Sequence, residues 1–152
     1  MSSYRIFFII GLIILLTACT TDNDTTQKND DVNYTNIAAK NNEISQSAAN
    51  AAKERLRKHD EITNINAVNT DKILLITVEL HHNKRFRLAK IRKNLKKEIS
   101  KEFPDYKVEF STDKKIVIEL NKLEKRIEEK DISKDKLKKE VKHLVKLMKE
   151  QT

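Results

Sequence analysis

The chain has 152 residues, of which 36% are charged and 38% hydrophobic, and its formal net charge is +8. This composition indicates one small, highly charged domain with appendages. Its one glycine, Gly11, lies in an apolar N-terminal run and its one cysteine is Cys19, which excludes a Gly-rich phosphate loop in the remaining chain, an internal disulfide and a thiolate metal cluster.

The N-terminus has the pattern of an export signal. A short segment with Arg5 precedes eleven apolar residues, 6–16, fewer than the ~20 that a bilayer-spanning helix needs. The run closes with Leu16, Thr17, Ala18 and Cys19. This resembles the bacterial lipobox, in which small residues precede a cysteine whose thiolate receives a diacylglyceryl group and which becomes the new N-terminus after cleavage. The sequence predicts a signal peptide over 1–18 and lipid attachment at Cys19, with an ordinary cleaved signal as the alternative.

A lipid anchor and a tether are expected next. A two-chain lipid holds a protein stably, because each buried methylene contributes about 0.8 kcal/mol and one chain alone is marginal. Residues 20–43 are rich in Thr, Asn and Asp, with five acids and two lysines. We therefore predict a flexible tether over 19–43, with an r.m.s. span of about 25–30 Å.

The first predicted elements of the domain are a helix and a hairpin. Apolar residues recur at helical spacing in the first segment: Ile44, Ala48, Ala51, Ala52 and Leu56. Segments 62–69 and 72–80 have strand composition and are joined by a polar turn, which predicts an antiparallel hairpin. The second strand is apolar on both faces over 73–78, so we expect it to be the more covered of the two.

A crossover helix and a third strand complete the predicted unit. The clearest helical stripe in the chain consists of Leu88, Ile91, Leu95, Ile99 and Phe103. Pro104 ends it, and alternation through Val108 and Phe110 predicts a strand. That strand can pair with either member of the hairpin. The prediction is an α+β domain over 44–112 with the order α-β-β-α-β, in which a three-stranded sheet has helices on one face.

Residues 113–152 are predicted to form two further helices. Thr112 or Asp113 can cap the first, although residues 115–120 also fit an alternating strand. The stripe of the second helix consists of Leu137, Val141, Leu144, Val145 and Met148. This stripe packs either on the domain and the preceding helix or on a partner, including a second copy of the chain.

The crossover helix carries most of the net charge. Residues 84–102 contain nine basic residues and two glutamates, a balance of +7 that equals the net charge of the chain without its signal. Three interpretations compete: a solvated helix face, a surface for anionic lipid or cell-wall polymer, and a nucleic-acid site. The export signal, the few aromatics and the lack of a recognition motif disfavour nucleic acid. The candidate residues for anionic-surface binding are Lys90, Lys93 and Lys97.

No catalytic or metal site is expected. His81 and His82 are adjacent, so they would point to opposite faces of a strand, and we expect exposed side chains. Cys19 is assigned to lipid and no Gly-x-Ser-x-Gly motif occurs. Acids such as Glu124 lie at helical spacing from lysines and are expected to form surface pairs. We predict no enzyme activity, no cofactor and no metal.

The order of these features resembles the YhcN/YlaJ family of sporulation lipoproteins. The most telling segment is Val108-Glu109-Phe110-Ser111-Thr112-Asp113, a strand that ends in Ser-Thr-Asp directly before a helix. The chain departs from the family pattern in the segment 81–84, in its glycine-free domain and in its lysine-rich final helix. The resemblance covers most of residues 19–127. It implies a spore-forming Gram-positive bacterium, export to a membrane surface and a part in spore formation or germination. Only Cys19 carries over as a site residue.

The expected protein is thus a non-enzymatic lipoprotein, held by a diacylglyceryl cysteine at the extracytoplasmic face of the cell membrane or of a spore membrane. It is expected to bind a protein partner or a polyanionic surface. The alternative is a structural protein that oligomerises through its final helix, residues 132–148.

Overall fold

The computed structural model describes residues 32–37 and 45–150. The predicted signal peptide, the lipobox residues and Cys19 lie outside these residues. The described chain contains, in order, α1 (Ser47–Leu56), β1 (Ile62–Asn69), β2 (Ile73–Leu80), a 3-10 helix (His82–Arg87), α2 (Leu88–Glu102), β3 (Lys107–Ser111), α3 (Lys114–Glu128) and α4 (Lys134–Glu150). The predicted α+β class is confirmed.

The three strands form one mixed sheet in the order β1-β2-β3. β2 pairs antiparallel with β1 and parallel with β3, so that Ile76 lies opposite Ala67 on one side and Phe110 on the other. The predicted hairpin is confirmed, and the pairing of the third strand, which the sequence left open, is with β2. A strand that is apolar on both faces suits this central position, because both of its faces are covered.

Helices cover both faces of the sheet. The face with Leu74 and Ile76 packs against α1 and α2, so these two helices share one face as predicted. Leu75 belongs to the opposite face, where the two C-terminal helices pack. The stripe of α4 is buried in this second layer through Leu137, Val141, Leu144 and Val145.

Local signals explain the starts of the later helices. Asp113 caps α3, since its Oδ1 accepts hydrogen bonds from Lys115 N at 2.9 Å and Ile116 N at 3.1 Å, which satisfies two of the free N–H groups at the helix start. The segment 115–120 is therefore helical and not a strand. None of the helices in the described part of the chain combines the length and the apolar composition needed to cross a bilayer.

The structure differs from the sequence prediction in α1. Ala51 was expected in the buried stripe and is exposed, whereas Ala49 and Lys53 are buried. Ile44 lies outside the described residues. The helix is rotated relative to the predicted stripe because Lys53 has polar partners at the side of the sheet, which a hydrophobic pattern does not reveal.

A second difference concerns residues 32–37, which were predicted to belong to the tether. Asn33 pairs in parallel with β1: its N–H donates to Thr63 O and its C=O accepts from Ile65 N, both at 2.9 Å. Ile37 is 1% exposed, and its peptide groups bond the Asn50 side chain at 2.9 and 2.8 Å. These six residues pack on the domain because the outer edge of β1 offers free backbone groups.

Candidate functional site

The three predicted binding lysines lie together on the outer face of α2. Lys90, Lys93 and Lys97 are all exposed, while Leu95 and Ile99 are buried. The spacing of three and four residues makes the lysines neighbours on one helix face. Since the buried stripe faces the sheet, this lysine face points to solvent.

The acids of the same segment do not neutralise that face. No acidic residue occurs between Glu79 and Glu98. Glu98 accepts a hydrogen bond from Arg55 Nε at 2.8 Å and lies 3.2 Å from His59 Nε2. Glu102 lies 3.3 Å from the same Arg55 nitrogen. Both glutamates are therefore engaged by Arg55 of α1, and they line one pocket with Lys97 and Lys101.

We define the basic surface as the eight cations of the 3-10 helix and α2 that have no carboxylate within 4.0 Å among the described residues: Lys84, Arg85, Arg87, Lys90, Arg92, Lys93, Lys97 and Lys101. The ninth basic residue of this segment, Lys96, is paired with Glu109 at 3.5 Å. Such a concentration of one sign of charge attracts anions over distances of about a Debye length, 8–10 Å.

A groove runs beside the basic surface at the edge of β3. It has a volume of about 410 Å³ and is lined by Arg92, Lys93 and Lys96 of α2 and by Lys149 of α4. Burial alone would raise the pKa of Glu109 at the groove wall. Its bonds with Lys107 and Lys96 outweigh burial and hold that pKa below its usual value. The net charge of the groove is positive.

Phe86 is the most exposed large hydrophobic side chain described, at 99%. It lies within the 3-10 helix, none of whose residues is buried, between Arg85 and Arg87. No periodic pattern in the sequence predicts an exposed side chain at this position. The available signal was an aromatic residue among cations in a segment with no hydrophobic periodicity.

Another polar cluster that the sequence analysis missed is buried at the edge of β1. Glu124 accepts from Ala67 N at 2.8 Å and Asn66 Nδ2 at 2.7 Å, and pairs with Lys53. Lys53 also donates to Thr35 O at 2.6 Å. Burial raises the pKa of Glu124, although Lys53 and the hydrogen bonds oppose the shift. The expectation that Glu124 is a surface acid was wrong, because the edge of β1 supplies a buried N–H that needs an acceptor.

This cluster joins α1, β1 and α3. Each of its polar groups has a partner, and such satisfied networks fix the packing of the elements that supply them. His81 and His82 are exposed, as expected. In the described ranges, no group of three or more His, Cys, Asp or Glu side chains could hold a metal ion.

Comparison with known proteins identified no homologue of this chain. A scan of protein-family models, a search of curated proteins and a search of solved structures each found no match to this chain. The basic surface is therefore the feature from which we infer a function.

Proposed function

We propose that this protein is a lipid-anchored, non-enzymatic module on the extracytoplasmic face of a bacterial membrane, and that its basic surface binds an anionic surface next to the anchor. The observation that carries the proposal is the acid-free outer face of α2. Each lysine or arginine near an anionic membrane contributes about 1 kcal/mol of attraction, so the cations of the basic surface that face the membrane, which are unpaired among the described residues, together supply several kcal/mol.

The charge distribution on the other helices supports a role beyond solvation for this face. α3 and α4 carry both signs of charge, and several of their cations have carboxylate partners: Lys114 with Glu79, Lys122 with Glu119, Arg126 with Glu140, Lys138 with Asp71 and Lys146 with Glu150. A solvated face normally mixes charges in this way. The outer face of α2 does not.

Oligomerisation through the final helix has less support. The apolar stripe of α4 is 8% exposed or less at Leu137, Val141, Leu144 and Val145, because it packs against α3 and the sheet. A stripe that is already covered within the chain offers little apolar area to a second copy.

The binding test uses the full-length lipidated protein in neutral detergent micelles and an immobilised polyphosphate. We expect the variant K90E/K93E/K97E to elute at much lower salt than the unmodified protein, because it reverses the centre of the basic surface. The matched control is K139E/K142E/K146E, which has the same spacing and charge change on exposed positions of α4. Equal loss in both variants would mean that net charge alone drives retention, and would contradict the proposal.

We further propose a role in sporulation or spore germination, which is supported by the resemblance to the YhcN/YlaJ family. Deletion of the gene in a sporulating host is expected to lower spore yield, resistance or germination rate. Normal values of all three would contradict this role.

The anchor is tested separately: Cys19→Ala should abolish incorporation of labelled palmitate and release the protein from the membrane fraction.

A further inference from the structure

We infer that the anionic surface is a lipid bilayer and that Phe86 enters its headgroup region when the basic surface binds. This inference rests on the proposed function and names its partner. It distinguishes a membrane from a hydrated polyanion such as a wall polymer, since both present phosphate charges but only the membrane has an apolar layer beneath them.

The first support is the exposure of Phe86. Burying a phenylalanine side chain is favourable by about 1.5–3 kcal/mol relative to leaving it in water, and Phe86 is 99% exposed while most other large apolar side chains of the domain pack in two core layers. The only other large hydrophobic exposed among the described residues is Ile118, at 45%. Phe86 thus retains nearly all of its apolar area for a partner.

The second support is the set of basic residues next to Phe86 in the sequence. Lys84, Arg85 and Arg87 surround it in sequence, and it precedes Lys90 of the lysine face by four residues. Cations next to an exposed aromatic ring match the two layers of an anionic membrane interface, where phosphates attract the cations and the ring lies at headgroup depth. A hydrated polymer would use the cations and leave the ring in water.

The third support is the location of Phe86 in the fold. Every residue from His81 to Arg87 is exposed, so the 3-10 helix between β2 and α2 can approach a surface without any rearrangement of the core. The chain between Cys19 and Val32 spans at most about 45 Å when fully extended. The membrane proposed to hold Cys19 is therefore always within reach of the domain.

The sequence allows a direct test because it contains no tryptophan. Phe86→Trp places a single indole at the proposed insertion site, and Ile118→Trp places one on α3 as the matched control. The full-length lipidated variants are reconstituted in vesicles of phosphatidylcholine with or without phosphatidylglycerol. We expect the indole at position 86 to shift its emission to the blue and to be quenched by headgroup-proximal doxyl lipids only in the anionic vesicles, with reversal at high salt. The indole at position 118 should show neither change.

An indole at position 86 that stays in water in anionic vesicles would overturn the inference. The proposed function is tested independently by polyphosphate retention of the same protein: if retention still depends on Lys90, Lys93 and Lys97, the basic surface binds anions and the partner is a polymer. Phe86→Ser supplies a second check. It should retain normal polyphosphate binding, and a loss there would show that Phe86 supports the surface itself, which also overturns the inference.

Discussion

The two outer edges of the sheet differ in how their backbone N–H and C=O groups are covered. At β1, residues 32–37 pair with the strand, Glu124 accepts the Ala67 N–H, and Gln46 exchanges two hydrogen bonds with the Asn69 backbone at 2.9 and 3.0 Å. At β3, Lys107 N–H donates to Lys72 O in the loop before β2. The peptide groups of Val108 and Phe110 therefore point away from β2 in a parallel pair, toward the side with the basic groove.

This difference shows how the chain distributes its acids. Glu124, Glu98 and Glu102 are engaged within the domain, at the β1 edge or against α1, whereas Lys90, Lys93 and Lys97 on the outer face of α2 have no carboxylate within 4.0 Å among the described residues. The edge of β1 is closed by buried polar bonds, while lysines line the edge of β3, a common protection against strand pairing. The groove beside β3 is therefore lined by more cations than acids.

The largest expected effect on the free energy of unfolding comes from removing the buried acid at the β1 edge. Glu124→Ala should lower the free energy of unfolding by about 3–5 kcal/mol, because it leaves Lys53 buried without its counter-charge and Ala67 N–H without its acceptor. Urea denaturation followed by circular dichroism measures the change. Glu109→Ala removes only pairs with half-exposed or exposed lysines and should cost no more than about 1 kcal/mol. Equal costs at the two edges would refute the comparison.

A second prediction tests whether residues 32–37 belong to the domain. Ile37→Ala should lower the free energy of unfolding by about 2–5 kcal/mol, since it removes a buried side chain from the second core layer. Ile118→Ala, at a 45% exposed position of α3, should cost much less in the same urea titration. If the two variants were equally stable, the segment would not be part of the core.

The pH dependence of stability should differ between Glu79 and Glu109, on β2 and β3, and Glu124 at the edge of β1. The hydrogen bond from Lys114 to Glu79 lowers the pKa of that carboxyl, and Lys107 and Lys96 lower the pKa of Glu109 despite burial. Stability from these two groups is present above the unfolded pKa of about 4.5 and is lost as pH falls through the lower folded values. Glu109→Gln should flatten this acid loss in urea midpoints measured across pH. If the urea midpoint of Glu109→Gln fell at low pH as much as that of the unmodified protein, Glu109 would not be a source of this loss of stability.

Glu124 should act in the opposite direction, since burial raises its pKa in the folded state. The folded protein then holds this proton more tightly than the unfolded chain, and stability falls as pH rises from the unfolded pKa through the folded one. In Glu124→Gln that falling contribution is absent, so stability should rise more steeply with pH above about 4.5. The same series of urea midpoints across pH measures this slope. A shallower rise in Glu124→Gln than in the unmodified protein would contradict a raised pKa of Glu124 in the folded state.

The smallest expected change in stability comes from the basic surface. Replacing Lys90, Lys93 and Lys97 together by glutamine should alter the free energy of unfolding by less than about 0.5 kcal/mol per site, because none of the three has a carboxylate partner among the described residues. Urea denaturation checks this value. A cost of several kcal/mol would mean that the three lysines stabilise the fold. A loss of anion binding in K90E/K93E/K97E would then reflect unfolding and would contradict a binding role for these lysines.

Periodic signals predicted most of the fold. β1 has the predicted bounds 62–69, β2 begins one residue after the predicted start, and the stripe of α2 faces the sheet as expected. The β1 edge was not predictable in this way, since Glu124 and Ala67 are 57 residues apart in sequence and a single polar pair leaves no period. Polar residues that become buried through one distant partner resemble surface residues in the sequence.

The candidate site shows the same division. Lys90, Lys93 and Lys97 were predicted from charge count and helical spacing, and the structure places them on one exposed face. Phe86 was missed because it belongs to no stripe: its exposure depends on how the 3-10 helix leaves β2. The engagement of Glu98 by Arg55 and His59 was also missed, since it depends on the packing of α1 beside α2.

The central claim is that the outer face of α2 is where the protein contacts anions, and nuclear magnetic resonance tests it directly. The full-length ¹⁵N-labelled protein in neutral detergent micelles is titrated with polyphosphate, and the amide shifts are followed along the chain. We predict that the shifts are concentrated in residues 84–101 and disappear at high salt. Shifts of equal size on the exposed faces of α3 and α4 would contradict the claim.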